Sequence, residues 1–159
     1  MSSPERPKGE AASVQPDGNT ANATPHMMIP KPDELDVEFY QAVVKAGALR
    51  VQRCSACGTW THPARYYCPQ CSSGDFTFAA PSGRATVYSY TVSHFSVEPA
   101  WQPFVPYVTI VVELAEGPRL VATARNIRPD EVVIGMPMRI VPETKSPDFA
   151  IFWAEPAGE

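Results

Sequence analysis

Four cysteines, the only ones among 159 residues, stand as two Cys-x-x-Cys pairs: Cys54-Ser-Ala-Cys57 and Cys68-Pro-Gln-Cys71. A two-residue spacer lets both thiolates of a pair face one ion, and two pairs complete a four-sulfur tetrahedral shell. Such a shell leaves no open position for water or substrate. It builds a fold rather than performing a reaction, and one structural zinc ion per chain is the expected cofactor. Gly58 after the first pair suits a knuckle whose amides turn toward sulfur, and Pro69 stiffens the second. Trp60 with Tyr66 or Tyr67 is expected to cover the site.

The same knuckles, Cys-x-x-Cys-Gly and Cys-Pro-x-Cys, also hold iron in rubredoxins, so iron remains the alternative metal on spacing alone. Disulfides are not expected, because the opening residues lack the apolar core of a signal peptide and the chain reads as cytoplasmic. Four thiolates already satisfy zinc, which leaves His62 as a surface residue. His94, in Ser93-His94-Phe95-Ser96 at the mouth of a long loop, is open to an acid–base role, but no carboxylate or nucleophile stands beside it. His26 belongs to an N-terminal tail. No Gly-rich phosphate loop, Gly-x-Ser-x-Gly elbow or His-Glu-x-x-His motif is present, so no catalytic residue is assigned.

The elements that must position the cysteines follow from composition and periodicity. Residues 1–31 are rich in Pro, Ser, Ala and Asn and are expected to be a disordered tail. Residues 32–47 form the leading helix: acids at 33, 34 and 36 favour its first turn, and Gly47 stops it. Leu35, Phe39, Tyr40, Val43 and Val44 recur at helical spacing within it. Core packing is the favoured reading of that aromatic stripe, and docking of Phe39 and Tyr40 on a partner is the sharper one. Residues 48–80 are the zinc ribbon, entered through a strand at 49–52. Residues 81–156 read as β, with strands near 84–93, 106–114, 119–125, 138–142 and 149–154 and a helical turn at 129–131. In the first of these, strict alternation puts Thr86, Tyr88, Tyr90 and Val92 on one face. Five strands with one long insertion suggest an OB-type barrel. The fold class is thus mainly β: an amphipathic helix, a rubredoxin-like zinc ribbon, then a five-stranded OB-fold barrel. The insertion, with Phe95, Trp101 and Phe104 among prolines, is either an apolar patch for a partner or ligand, or a lid over one barrel end. A formal charge of -4 opposes a nucleic-acid surface built on bulk electrostatics. No stretch is long and apolar enough to span a bilayer.

The order of these parts resembles the acyl-CoA-associated zinc-ribbon/OB-fold family, domain of unknown function thirty-five. The carriers are Phe39-Tyr40, Arg53-Cys54-Ser-Ala-Cys57-Gly58, Pro63-Ala-Arg65, Cys68-Pro-Gln-Cys71, Gly83-Arg-Ala-Thr-Val-Tyr88, Pro106-Tyr107, Val112-Glu113-Leu114-Ala-Glu116-Gly117 and Ile134-Gly135-Met136-Pro137-Met138. Ala64 stands where the family pattern usually has a second proline, and the tail has no family counterpart. The resemblance implies a non-catalytic accessory subunit that binds a thiolase-like aldolase or condensing enzyme in a hetero-oligomer and helps hold acyl-CoA. It also points to the OB-fold subunits of steroid side-chain aldolases, and hence to lipid degradation. Under it, Arg84, Arg119, Arg125 and Arg128 are candidates for the CoA phosphates, and Phe39, Tyr40, Phe95, Trp101 and Phe104 for the partner interface. Two alternatives stand beside it. One is a nucleic-acid-binding protein with Tyr88, Tyr90 and Tyr107 as stacking platforms; the other is a rubredoxin-like iron electron carrier.

Overall fold

Residues 29–158 are described in a computed structural model of the chain. The expected tail, with His26, falls almost wholly outside them. Helix α1 spans Glu34–Ala46. Asp33 caps it by accepting from the backbone N–H groups of Leu35 (3.1 Å) and Asp36 (3.0 Å). Gly47 closes it in the left-handed region at φ 59°, where a side chain would be strained. The stripe read from the sequence turns inward: Phe39 and Val43 are buried.

Three short strands follow: β1 (Val51–Cys54), β2 (Trp60–Thr61) and β3 (Phe76–Ala79), in the order β2-β1-β3 and antiparallel. Periodicity places the first strand at 49–52, two residues early, and gives no strand at 76–79. Five longer strands form the barrel: β4 (Arg84–Ser93), β5 (Tyr107–Leu114), β6 (Arg119–Ala124), β7 (Pro137–Ser146) and β8 (Phe149–Pro156). Their order is β4-β5-β6-β8-β7, closed by pairing of β7 with β4. Only β6 and β8 run parallel, through Thr123↔Trp153 and Ala124↔Ala154. This is the five-stranded OB architecture expected.

Two details depart from the sequence reading. β7 continues well past Pro142 to pair with β8 as far as Ser146. The proline is tolerated because β7 pairs with β4 only at residues 137–139, leaving later residues one edge without ladder bonds. The alternation along β4 is also broken. Pairing passes from Val87↔Val112 directly to Ser89↔Val111, which makes Tyr88 a bulge. Ala85 and Val87 face the core before it, whereas Tyr90 and Val92 align with the core residues Ile110 and Val108 after it. Thr86, Tyr88, Tyr90 and Val92 therefore do not share a face.

Ribbon and barrel share one core. Leu49 and Val51, on the ribbon side, pack in the same cluster as Val87, Ile110, Val112, Met138 and Ala154 of the barrel. The helix adds a second cluster in which Phe39 touches Phe78 of β3 and Phe152 of β8, with ring centroids 6.3 and 5.8 Å away.

Candidate functional site

The two knuckles that carry the cysteines are built alike. In the first, the Cys54 N–H donates to the Thr59 carbonyl (2.8 Å) and Gly58 donates back to the Cys54 carbonyl (2.9 Å). In the second, Cys68 donates to Ser73 (2.8 Å) and Ser72 to Cys68 (2.9 Å). The residue after each second cysteine takes a left-handed turn, Gly58 at φ 78° and Ser72 at φ 60°. Glycine adopts that conformation freely, whereas serine is strained by about 1–2 kcal/mol. The sequence signals it only in the first knuckle.

The geometry brings the four sulfurs within 4.8 Å of one another. Cys54 lies 3.6 Å from Cys71, and Cys57 lies 3.6 Å from Cys68. A cation holding each sulfur at about 2.3 Å in a tetrahedron sets sulfur–sulfur edges of about 3.8 Å. The spacings fit that shell, and a disulfide would need about 2.05 Å. The electrostatics agree. Thr59, through its hydroxyl at 3.1 Å and its backbone, draws the Cys57 thiol down to about 6. Burial pushes Cys68 up, but the amides of Gln70 and Cys71 outweigh it and leave the thiol below its usual range. The Ser73 amide pulls Cys71 down, yet Cys57, burial, Cys54 and Cys68 together hold it up at about 12. Without a cation the four thiols cannot all ionise against their mutual repulsion; a bound divalent ion removes that conflict. The four cysteines are therefore clustered as a tetrahedral metal shell requires.

The expected cover is different. Tyr66 and Tyr67 are exposed to 65% and 70%. Trp60 lies under the Arg53 guanidinium, 5.2 Å from its ring centroid, and packs against the barrel core. The loop between the pairs is held instead by buried Gln52. Its amide donates to the Arg65 carbonyl (2.9 Å) and its carbonyl accepts from the Thr61 hydroxyl and the Arg65 N–H, both at 2.8 Å. His62, expected at the surface, is largely buried with its ring 5.0 Å from Phe39, and burial pushes its pKa down to about 4. The reason is tertiary: α1 folds over the loop. His94 is exposed at the end of β4.

The four arginines do not converge. Arg84 and Arg119 lie at the barrel end where β5 finishes, whereas Arg125 and Arg128 lie beyond the far end of β6, roughly 20 Å along the strand. Three are engaged within the chain. Arg119 pairs with Glu113 (2.9 Å) and sits 3.4 Å over the Tyr88 ring. Arg128 pairs with Asp130 and Glu131. Arg125 is largely buried, bonding Glu155 at 2.6 Å and Glu143 at 3.6 Å. Arg84 faces Glu116 electrostatically and has no ion pair within 4.0 Å among the described residues.

Among the aromatic candidates, Phe39 is 2% exposed, so its ring is core and not interface. Tyr40 is half-buried, 4.8 Å from Phe149. The long loop divides: Trp101 packs on both Phe104 and Tyr107, whereas Phe95 stands out in solvent. Of the expected stacking platforms, Tyr88 has Arg119 over its ring and Tyr107 packs against Trp101, while Tyr90 is exposed.

Sequence reasoning missed a buried charge network. Glu155, 5% exposed, accepts from Arg125, Asn126 and Arg139. Glu143 accepts from Lys145 (2.6 Å) and from the Trp153 ring N–H (2.7 Å). The partners are separated by up to 30 residues, and no local pattern announces them.

Residues 42–77 match the family described as "ChsH2, rubredoxin-like zinc ribbon domain", and residues 79–143 match "ChsH2, C-terminal OB-fold domain". A probable enoyl-CoA hydratase alpha subunit of Thermomonospora curvata is 41% identical over 115 residues, which is 72% of this chain and 35% of that protein. The 3-oxo-4,17-pregnadiene-20-carboxyl-CoA hydratase alpha subunit of Mycobacterium tuberculosis is 34% identical, over 95% of this chain and 46% of its own length. The chain thus spans a third to a half of these two relatives. A DUF35 domain-containing scaffold protein of Methanocaldococcus jannaschii is 32% identical, over 69% of this chain and 77% of its own. Among solved structures, a chain of the "Ltp2-ChsH2(DUF35) aldolase" is similar with a TM-score of 0.71 and 36% identity, covering 82% of this chain and 100% of that one.

Proposed function

The chain belongs to the DUF35 family of paired zinc ribbon and OB-fold domains, and from that premise we propose that it is a non-catalytic accessory subunit of an acyl-CoA enzyme. The partner is the thiolase-like aldolase or condensing subunit that the family resemblance implies, and the pair works on acyl-CoA thioesters of steroid or related lipid side chains. One observation carries the reading: 82% of this chain matches the whole of a chain of the "Ltp2-ChsH2(DUF35) aldolase".

The chain's own chemistry is compatible with that division of labour. Its four thiolates form a closed shell, so the ion they hold, which we assign as zinc, has no position left for substrate. Zinc supplies cross-linking of the two knuckles and nothing else. The partner then provides the nucleophile and the proton transfers. Arg84, whose guanidinium is the least committed of the four arginines, is the proposed contact for a CoA phosphate. Arg125, implied by the resemblance as a CoA contact, is instead committed to Glu155 and Glu143, and we assign it a structural role.

The test is a comparison of purified protein with and without its partner. The isolated chain is expected to be colourless, to hold one equivalent of zinc by elemental analysis, and to leave acyl-CoA thioesters intact. Adding the thiolase-like subunit should restore carbon–carbon cleavage or condensation. Turnover by the partner-free chain, or a red iron form, overturns the proposal.

A further inference from the structure

We propose that Phe95 and Val97 form a rigid apolar prong that seats in an apolar pocket of the enzyme subunit, an inference that rests on the accessory-subunit reading. They are 75% and 84% exposed, more than any other exposed large apolar side chain among the described residues. Between them Ser96 is buried at 8%. Its hydroxyl donates to the Glu98 carbonyl and accepts from the Glu98 N–H, both at 3.2 Å, while Gln102 donates to the Ser96 carbonyl at 3.5 Å. Glu98 in turn caps the 3-10 turn at Pro99–Phe104, accepting from the Ala100 N–H with its side chain and from the Trp101 N–H with its carbonyl. Trp101 anchors that turn on Tyr107, with ring centroids 4.9 Å apart.

The loop thus spends its hydrogen bonds and its inner aromatics on fixing one backbone shape, and that shape drives two apolar side chains outward. Fixing the shape beforehand removes the ordering cost that a flexible loop would meet on binding. A lid would fold those side chains down over the barrel end, whereas Phe95 and Val97 stand out in solvent. A second copy of this chain is a poorer occupant than a different protein, because two chains of formal charge -4 repel. A similar chain, matched over its whole length, belongs to the "Ltp2-ChsH2(DUF35) aldolase", whose name joins a DUF35 protein to a second protein. Seating one phenylalanine and one valine in a dry pocket should change the dissociation constant by at least about a hundredfold.

The experiment expresses the tagged full chain in its own cells and identifies the acyl-CoA enzyme subunit that co-purifies by mass spectrometry. Affinity for that purified subunit is then measured for the wild type, for Phe95→Ser with Val97→Ser, and for Val133→Ser with Ile134→Ser, a second exposed apolar pair on another loop. Circular dichroism melts establish that all three are folded. Support is a loss of a hundredfold or more in the first variant and a change under threefold in the second. If the wild type retains no acyl-CoA enzyme, the functional reading fails and the prong with it. If the wild type binds and the Phe95/Val97 variant binds as tightly, the prong is overturned while the reading stands. Self-association that disappears in the Phe95/Val97 variant, with no enzyme bound, assigns the surface to a second copy and overturns the proposal too.

Discussion

At the scale of single residues, the chain shows how one fold gives similar residue types different duties. His62 is a residue whose charge state folding alters. With its ring against Phe39 it is held neutral, because burial has pushed its pKa down to about 4 from an ordinary 6.5. The unfolded chain takes up a proton first, so the stabilisation is complete above pH 6.5 and is lost as pH falls from there toward 4. The loss should reach about 3 kcal/mol, at 1.36 kcal/mol per pKa unit. Urea denaturation of the wild type and His62→Phe across pH 7.5 to 4.5 checks this, since thiol protonation is common to both and cancels. Equal pH slopes in the two proteins would rule the effect out.

At the scale of elements, the weak point of the barrel is its one parallel seam, where β6 meets β8 through two register pairs. Arg125 closes it. Its N–H donates to the Ala154 carbonyl at 2.9 Å, and its guanidinium reaches Glu155 and Glu143. Glu155→Ala should therefore cost about 3 kcal/mol, because it leaves a largely buried guanidinium with only its longer pair to Glu143. Glu113→Ala, which removes the exposed pair with Arg119, should cost under about 1 kcal/mol. Denaturation midpoints with unchanged slopes measure both, and equal costs would refute the clasp. What was legible in the sequence follows from range. The cysteine knuckles, the Asp33 cap and the Gly47 stop are encoded within a few residues, and so were readable. The bulge at Tyr88 depends on how β5 pairs with β4, and β3 on its pairing with β1. The Glu155 network gathers residues from β7, β8 and the segment after β6. None of these leaves a local trace. The arginines were readable as charges, but which of them remained available was decided by partners distant in sequence.

At the scale of the whole molecule, the continuity of the core decides what the metal does. Were ribbon and barrel independent, removing the ion would unravel the two knuckles and leave the barrel intact. They are not independent: Leu49 and Val51 belong to the barrel core, and Phe39 bridges Phe78 of the ribbon sheet to Phe152 of the barrel. Structural zinc sites contribute on the order of 10–16 kcal/mol of apparent binding energy at neutral pH, comparable to or larger than the stability of a typical domain. Stripping the ion with a strong chelator, or replacing Cys57 with serine, should thus lower the stability of the barrel as well as of the ribbon. With Trp60 and Trp101 replaced by phenylalanine, the fluorescence of Trp153, 4% exposed at the seam, reports on the barrel, and cobalt–thiolate absorption reports on the knuckles. Coincident transitions that move together on metal removal are expected. A Trp153 transition that stays in place while the ribbon melts would show two separable units. Loss of partner binding in Cys57→Ser would then have to arise in the ribbon itself, whereas in a single cooperative unit it extends to the prong at 95–97, which touches no metal ligand but is carried by the same barrel.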